Sequence, residues 1–510
     1  MYVQKFLPLR CRNVKAHVIF LAGGPGSSCR AYDGLIRLLS QRMPIASYYI
    51  KHRGLYGSGE FTNLPKRQWI DQIEELDRNG PYPIKHLTLE NAAGDVALLA
   101  KSVQLTFPKL KMVLYGFSYG AQWAHQTVKL YPDLFHASFM LGLPFIRGLA
   151  QPSHSALVEH CLSDAFCQSK IGSIENFDKA LRMISNANYN ECTKMLHGQL
   201  QIIAPNDPFK LTRALLPLLR GSVKKYKEIH NVQLVVPLIM ATFDCLDPEK
   251  YQEQILWSLL PAVVPHRIDQ IQRREPITIR SENTRNVNSF VNHVITITND
   301  YDFDDKGQPS IPSSYSNLHP IGAFPFTYHP AWIKLRSFIS QKLTDQTPVE
   351  TKKTSIFIAA SMLDMITPPQ PGWSLFNNVQ APVKSWLLFT DHPHDQYVNV
   401  CLKYWLECGI FNKHCSKVNA CMKKQEARKT VDWTFNQHKQ LKAIWDRIRN
   451  RHGTGSSVVH MPRFKIAISN GIRDDILIAN QGDHEGSCLC TLHPLLIILT
   501  LRLMIHMLSS

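Results

Sequence analysis

Residues 112–124 read MVLYGFSYGAQWA, and this stretch decides the fold. Its first four residues are apolar, as in a buried strand, and its last four favour a helix. Between them stands a Gly-x-Ser-x-Gly pattern with Ser118 at its centre. A sharp strand-to-helix turn needs small residues on both sides of such a serine, because larger side chains would collide there. The pattern therefore predicts that the Ser118 hydroxyl is exposed on a tight turn at the edge of a sheet.

The same turn would aim the N-terminus of the following helix at the Ser118 hydroxyl. The helix dipole and the backbone amide of Tyr119 can then stabilise a negatively charged oxygen. A glycine-rich turn with a hydrogen-bonded serine is the alternative interpretation, because so short a pattern also arises by chance. The strand before Ser118 and the helix after it favour a nucleophile.

Further apolar runs on both sides of this stretch predict the rest of a sheet. They are short runs of the kind found in buried strands: Val18–Ala22, Ile45–Ile50, Phe135–Leu141, Ser355–Ala360 and Ser385–Phe389. A helical stretch runs from about Leu89 to Leu105. Alternation of buried strands with helices predicts the α/β class, with a mostly parallel sheet covered by helices on both faces.

A second glycine-rich segment, AGGPGSS at residues 22–28, directly follows the first of these strands. Glycines let a backbone approach a substrate closely, so the amide of Gly23 or Gly24 can donate to a developing negative charge. Pro25 cannot, because it lacks an N–H. The alternatives are a simple turn or a phosphate-binding loop, and the latter is disfavoured because no Gly-Lys-Ser/Thr follows.

A nucleophilic serine needs a base, and the base needs an orienting carboxylate, in the chain order serine, acid, histidine for this type of turn. Asp364 follows the strand predicted at Ser355–Ala360, and His392 and His394 follow the last strand. Either histidine can be the base; His394 is preferred, because a short loop usually separates the strand from the base. The predicted triad is Ser118, Asp364 and His394, and it requires neither a metal nor a cofactor.

The strand-helix rhythm is interrupted in the middle of the chain. Residues 148–330 are mostly helical, and we interpret them as a cap inserted between two halves of one sheet, residues 1–147 and 331–425. Residues 426–510 form a basic C-terminal extension that is expected to be partly disordered. Within it, Val431–Arg449 is predicted to be a surface amphipathic helix and residues 451–490 loop or disorder. Leu495–Leu508 is apolar but too short to span a membrane, so no transmembrane segment is expected.

The composition is that of a globular protein. Hydrophobic residues make up 44% of the 510 residues and charged residues 19%, which excludes disordered and collagen-like classes. The formal net charge of +17 favours anionic surfaces or acidic substrates, but the basic residues are spread widely and thicken only after about residue 416. Without a zinc-finger spacing or an aromatic RNA-binding motif, a nucleic-acid partner is not expected. The composition leaves the oligomeric state open.

The cysteines and the N-terminus give opposing indications of the compartment. The 12 cysteines are many for a reduced cytosolic enzyme, and pairs such as Cys161/Cys167 and Cys401/Cys415 look like short disulfide loops. The chain nevertheless opens without the charged, apolar and small-residue succession of a signal peptide. The compartment therefore stays open at this point.

Taken together, the motifs resemble those of the proline iminopeptidase and tripeptidyl aminopeptidase branch of the α/β-hydrolases. The matching features are specific only as a set: Gly23-Gly24-Pro25-Gly26, Arg53-Gly54 with Gly57-Ser58-Gly59, Gly116 to Gly120, Asp364 with Thr367-Pro368, and His394. The resemblance implies an α/β-hydrolase fold with an inserted helical cap domain. It also implies a peptide or small acyl substrate, cleaved through an acyl-enzyme on Ser118 that releases short N-terminal units.

Acidic cap residues of such enzymes bind the free amine of the substrate. The resemblance makes Asp300 the candidate for that contact, because Asp300 stands near the predicted return from the cap to the sheet. The alternative is a solvated acidic loop, since Asp302, Asp304 and Asp305 follow.

Two stretches resemble the secreted tripeptidyl aminopeptidase subgroup in particular. Cys161 and Cys167 bracket an aspartate near the start of the cap, and Cys401, Tyr404, Gly409 and Cys415 resemble that subgroup's C-terminal helix and closing loop. The resemblance implies that Cys161–Cys167 and Cys401–Cys415 are disulfides, and hence an oxidising, extracytoplasmic compartment.

The chain departs from the family at three places. Lys51-His52 stands where an Asp usually precedes Arg-Gly, and Leu141 replaces a common Asp after the sixth strand. The Gly-Gly-Pro-Gly loop comes so early that Met1–Leu9 is expected to be the last remnant of the strands that usually precede it, which would make this a truncated product. Two alternatives to the peptidase follow: a carboxylic-ester hydrolase, since one site serves many acyl substrates, and a non-catalytic protein on the same scaffold.

Overall fold

A computed structural model describes residues 2–8, 14–24, 30–53, 78, 83–144, 156–184, 186–203, 231–251, 349–364, 367–389, 400–426, 431–451, 461 and 464–468. Its centre is one sheet of eight strands. They are Val3–Phe6 (β1), Ala16–Leu21 (β2), Ile45–Ile50 (β3), Lys111–Phe117 (β4), Ala137–Leu141 (β5), Ser355–Ser361 (β6), Val383–Phe389 (β7) and Phe464–Ile468 (β8). Every strand predicted within the described ranges from an apolar run is present, with ends that differ by at most two residues.

The strands lie in the order β1-β3-β2-β4-β5-β6-β7-β8. The six from β3 to β7 are mutually parallel, whereas β1 and β8 run antiparallel at the two edges. Both β2 and β3 are buried along their whole length, as expected for strands covered on both faces. This order, with helices on both faces, is that of the α/β-hydrolase fold, as the sequence predicted. Residues Val3–Phe6 of the N-terminal segment form β1 at the edge of the sheet.

Helices cover both faces of the sheet. In the described part of the chain they are Arg30–Arg42 (α1), Leu89–Thr106 (α2), Tyr119–Leu130 (α3), Ala156–Leu162 (α4), Ala165–Ile171 (α5), Ile174–Ile184 (α6), Glu191–Ile203 (α7), Val235–Asp244 (α8), Pro248–Tyr251 (α9), Pro369–Asn378 (α10), Val400–Phe411 (α11), Cys415–Glu426 (α12) and Lys439–Arg447 (α13). Helices α2, α3 and α10 pack on one face of the sheet. Helices α1, α11 and α12 pack on the other. None of the helices in these ranges is long and apolar enough to cross a bilayer.

A third hydrophobic core lies between helices α4 to α9 of the predicted cap and residues 431–451, which we call the C-terminal strap. Trp433, Phe435 and Trp445 of the strap are buried among the cap helices. The amphipathic helix predicted over Val431–Arg449 is confirmed in part: only Lys439–Arg447 is helical, and its apolar side packs on the cap. The prediction for residues 451–490 is wrong for Phe464–Ile468. These residues form β8, which pairs with β7 at the edge of the sheet.

Four disulfides join cysteines of the described residues. Cys161–Cys167 forms as predicted, and Asp164 between them caps α5 by accepting a hydrogen bond from the Cys167 amide. Cys192–Cys245, which the sequence analysis missed, links α7 to the end of α8.

The predicted Cys401–Cys415 pair is wrong. The structure pairs Cys401 with Cys421 and Cys408 with Cys415. Helices α11 and α12 form an antiparallel hairpin, so the first cysteine of the hairpin meets the last and the two inner cysteines meet each other.

Candidate active site

Ser118 occupies the sharp turn that the sequence predicted, but the residue is buried, with 8% of its surface exposed, where the sequence predicted an exposed hydroxyl. It stands alone between β4, which ends at Phe117, and α3, which begins at Tyr119. Its backbone has φ 56° and ψ −126°, a conformation that side chains rarely adopt. Such strain costs on the order of 1–3 kcal/mol and persists only where the surroundings enforce it.

The surroundings enforce this turn through close backbone contacts. A Cβ on Gly116 would lie 2.1 Å from the Gly120 carbonyl oxygen, and a Cβ on Gly120 would lie 2.0 Å from the Leu21 carbonyl oxygen. The Ser118 amide donates to the Leu141 carbonyl at 2.8 Å, and the Ala121 amide donates to the Ser118 carbonyl at 2.8 Å. Both glycines of the pattern are therefore required by packing and not merely tolerated.

The glycine-rich segment after β2 begins at the same edge of the sheet. Strand β2 pairs with β4 so that Leu21 lies opposite Gly116, and this puts Gly23 and Gly24 just beyond the Ser118 turn. Gly24 has φ 118°, which a residue with a side chain rarely adopts. Tyr119 opens α3, where the first amides of a helix have no acceptor within the helix. The three candidate oxyanion donors thus lie at the ends of two neighbouring strands.

Asp364 follows β6 at the same edge and is fully buried. The Thr367 amide donates to its Oδ1 at 2.8 Å, and the Thr367 hydroxyl donates to its Oδ2 at 2.6 Å. Leu363, the residue before it, packs in the cap core. The buried carboxylate is thus oriented by Thr367.

A ladder of backbone hydrogen bonds ties the ends of the four strands from β4 to β7 together. The amides of Ser118, Gly142 and Met362 donate in turn to the carbonyls of Leu141 at 2.8 Å, Ala359 at 2.9 Å and Phe389 at 2.9 Å. Ser118, Asp364 and the end of β7 therefore share one edge. The two candidate bases, His392 and His394, and the candidate amine-binding residue, Asp300, lie outside the described residues.

His52 is a feature of this edge whose contact the sequence did not reveal. The sequence marked Lys51-His52 only as a departure from the family, and 67 residues separate His52 from Tyr119. Its Nε2 lies 3.2 Å from the Tyr119 hydroxyl, and its Nδ1 lies 3.0 Å from the Arg53 carbonyl oxygen. Burial lowers the pKa of His52 from 6.5 to about 4, so its ring is neutral at neutral pH. The other departure, Leu141, is buried in β5 and supplies the carbonyl that accepts from Ser118.

Arg53, the residue after His52, anchors this segment to a helix. Its guanidinium donates to both carboxylate oxygens of Asp95 on α2, at 2.6 and 2.8 Å. A bidentate pair of this kind fixes geometry as well as charge. The segment after β3 is thereby held against the same face of the sheet as α2 and α3.

The strand order and the Ser118 turn define a protein of the α/β-hydrolase fold. No family model matches the chain, and no curated protein is similar to it in sequence.

The chain is similar to several solved structures. A proline iminopeptidase of Mycobacterium smegmatis is 10% identical, with 84% of this chain and 96% of that one covered and a TM-score of 0.34. A thermostable carboxyl esterase of Bacillus coagulans is 14% identical, with 82% and 94% covered and a TM-score of 0.31. A soluble variant of monoglyceride lipase of Saccharomyces cerevisiae is 10% identical, with 84% and 92% covered and a TM-score of 0.32. At such identities and TM-scores these similarities do not choose among activities, and the fold assignment rests on this chain's own sheet.

Proposed function

We propose that this chain is a serine hydrolase with Ser118 as nucleophile, and specifically a peptidase that releases short N-terminal units from peptides. The observation that carries the hydrolase proposal is the backbone of Ser118. The serine has φ 56° between a parallel strand and a helix, and two glycines that admit no side chain enclose it, so its backbone is held in a strained conformation. We infer that this conformation presents the Ser118 hydroxyl to a substrate.

The chemistry proceeds in two steps on this proposal. His394 removes the proton of the Ser118 hydroxyl as its oxygen attacks the substrate carbonyl, and Asp364 stabilises the imidazolium that forms. The amides of Tyr119 and of Gly23 or Gly24 stabilise the oxyanion. His394 then protonates the leaving amine, and water, deprotonated by the same histidine, releases the acyl group from Ser118.

The peptidase part of the proposal is supported by the set of motifs that resembles the aminopeptidase branch. Those motifs include the Thr367-Pro368 pair, whose threonine binds the Asp364 carboxylate. In this proposal Asp300 binds the free amine of the substrate. The four disulfides support an oxidising compartment.

Labelling with a fluorophosphonate tests the nucleophile. We expect the folded protein to form an adduct on Ser118, located by peptide mass spectrometry, and Ser118→Ala to take up no label. Intact folded protein that takes up no label would leave the non-catalytic alternative in place and refute the proposal.

Replacement of each histidine tests the base. We expect His394→Ala to lower kcat by several orders of magnitude and His392→Ala to have a small effect, because members of a triad act as a unit. The reverse result would move the role of base to His392.

Substrates with and without a free amine separate the peptidase from an esterase. Aminoacyl and tripeptidyl amides should be cleaved when their amine is free and rejected when it is N-acetylated. An Asp300→Asn variant should lose this discrimination, chiefly through a higher KM. Equal turnover of the free and blocked substrates by the unmodified protein would favour the carboxylic-ester hydrolase instead.

A further inference from the structure

The contact between His52 and Tyr119 has a defined direction. A backbone carbonyl can only accept a hydrogen bond, so the His52 Nδ1 must carry the proton that faces the Arg53 oxygen. The neutral ring then leaves Nε2 as an acceptor, and the Tyr119 hydroxyl donates to it at 3.2 Å.

Both partners are held in place by their surroundings. His52 and Tyr119 are both buried, and the His52 ring meets Trp123 of α3 edge-on, with 4.9 Å between ring centroids. The Arg53–Asp95 ion pair fixes the next residue of the same segment. The His52 ring therefore offers its acceptor to Tyr119 from a preformed position.

We propose that His52 is a positioning residue for the reaction: by holding the Tyr119 side chain it fixes the backbone between Ser118 and Tyr119. This inference rests on the proposed function, since it assigns the Tyr119 amide to the oxyanion. The Tyr119 N–H belongs to the peptide bond that joins Tyr119 to Ser118, the residue that carries the hydroxyl. A side-chain anchor on Tyr119 thus restrains the nucleophile and the oxyanion donor together, while His52 itself does not touch the substrate.

The hydrogen bond between His52 and Tyr119 matters because the Ser118 turn is strained. The Ser118 conformation is unfavourable on its own, and an unanchored first turn of α3 can relax toward ordinary helical angles. Relaxation of a few tenths of an ångström would misalign the amide in the transition state more than in the bound substrate, so the effect belongs in kcat.

Two variants of His52 separate its two hydrogen bonds. The amide end of glutamine reaches the place of Nε2, so His52→Gln keeps an acceptor for Tyr119. The shorter asparagine reaches only the place of Nδ1, so His52→Asn keeps a donor for the Arg53 carbonyl and loses Tyr119. We expect His52→Asn to lower kcat about fivefold to tenfold with KM unchanged, which is the cost of about one hydrogen bond. His52→Gln should recover most of that loss.

The rates are expressed per Ser118 that reacts to completion with a fluorophosphonate, so that misfolded protein does not count. His17→Gln is the matched control, because His17 is a buried histidine whose Nδ1 lies 3.2 Å from the Tyr48 hydroxyl near the start of β2, at the opposite end of the sheet. This variant should lose stability and keep its kcat per reactive serine.

Tyr119→Phe tests the same bond from the other side with the ring kept in place. Its kcat should fall as in His52→Asn, and the double variant should be no slower than the slower single variant. The inference is overturned if the unmodified protein labels and turns over substrate while His52→Asn and His52→Gln have equal kcat, or if the two single effects add fully. Absence of labelling on the unmodified protein would instead refute the proposed function itself.

Discussion

At Gly120, two backbone segments approach so closely that no side chain fits between them. We predict that Gly120→Ala costs at least about 3 kcal/mol of folding free energy, because its Cβ would meet the Leu21 carbonyl oxygen at 2.0 Å and neither backbone can move without disturbing the sheet. Denaturant unfolding followed by circular dichroism measures this loss.

Gly34 in α1 supplies the control for this substitution. A Cβ there would meet nothing within 4 Å, so Gly34→Ala should be neutral or stabilising by up to about 1 kcal/mol, since alanine favours a helix. If both variants unfold at the same denaturant concentration, the close approach at Gly120 has been misjudged.

Thr367 holds the candidate acid by two hydrogen bonds, and only one of them uses its side chain. We predict that Thr367→Val lowers kcat about tenfold, because the Asp364 carboxylate loses a donor of the strength expected for a charged acceptor. Thr367→Ser keeps the hydroxyl and should stay within about twofold of the unmodified protein. Steady-state kinetics of the two variants checks this, and equal kcat values would contradict it.

Among the elements, the C-terminal strap makes the contacts that were least expected. The Lys170 ammonium donates to the Ile448 carbonyl at 2.8 Å, and the Gln233 side chain donates to the Asp432 carbonyl at 3.1 Å. The Arg451 guanidinium pairs with the Asp244 carboxylate, which is almost fully buried. Polar and charged side chains from both sides thus fasten the strap to the cap, and one of them, Arg451, is a cation of the basic extension.

We predict that Trp445→Ala lowers the free energy of unfolding by about 3–5 kcal/mol, because it removes a fully buried indole from the cap core. Limited proteolysis should then cut first within the cap helices, whereas the sheet should remain resistant. Leu246→Ala, at a half-exposed leucine of the same region, should change stability by less than about 0.5 kcal/mol. A Trp445→Ala protein as resistant as the unmodified one would show that the strap contributes little.

Some of these elements could be predicted from the sequence, and others could not. The strands and the Ser118 turn could be predicted, because their apolar runs and the two glycines are local signals. The strap could not be placed, because the spacing of Trp433, Leu441 and Trp445 predicts an apolar side and not the helices that cover it. The Cys401 pairing failed for the same reason: it depends on how two helices pack, and the spacing of the cysteines does not contain that information.

The candidate site also contains residues that the sequence predicts and one contact that it does not. Ser118, Asp364 and the Gly23-Gly24 pair were found from their places after predicted strands, since parallel strands deliver their carboxyl ends to one edge. The role of His52 could not be found, because its hydrogen bond to Tyr119 spans 67 residues and crosses from β3 to the helix after β4.

At the scale of the whole molecule, buried neutral histidines set a limit on acid stability. Burial lowers the pKa of His17, His52 and His136 to about 4 and that of His125 to about 3, against 6.5 for an exposed histidine. The unfolded chain therefore binds more protons than the folded one below about pH 6.5. We predict that the free energy of unfolding is unaffected by these groups above pH 6.5 and falls as the pH drops from 6.5 to 4, by up to about 1.4 kcal/mol per pH unit for each histidine.

Denaturant titrations at pH 7 and pH 4.5 measure this change. Carboxylates also titrate near the lower value, so the comparison is made between the unmodified protein and His125→Gln, which lacks one of these four groups. The variant should lose less stability between the two pH values than the unmodified protein. Equal losses would mean that His125 is not held neutral.

The shared core of cap and strap limits how this molecule can be rearranged. A chimaera planned from the sequence would be cut at the two predicted junctions of the insert, near residues 148 and 330. Such a graft would expose Trp433, Phe435 and Trp445 to water, because the cap helices that bury them would be removed. The cap helices and residues 431–451 therefore form one unit that is discontinuous in the sequence. A recombinant or fusion protein that keeps this core must include both parts.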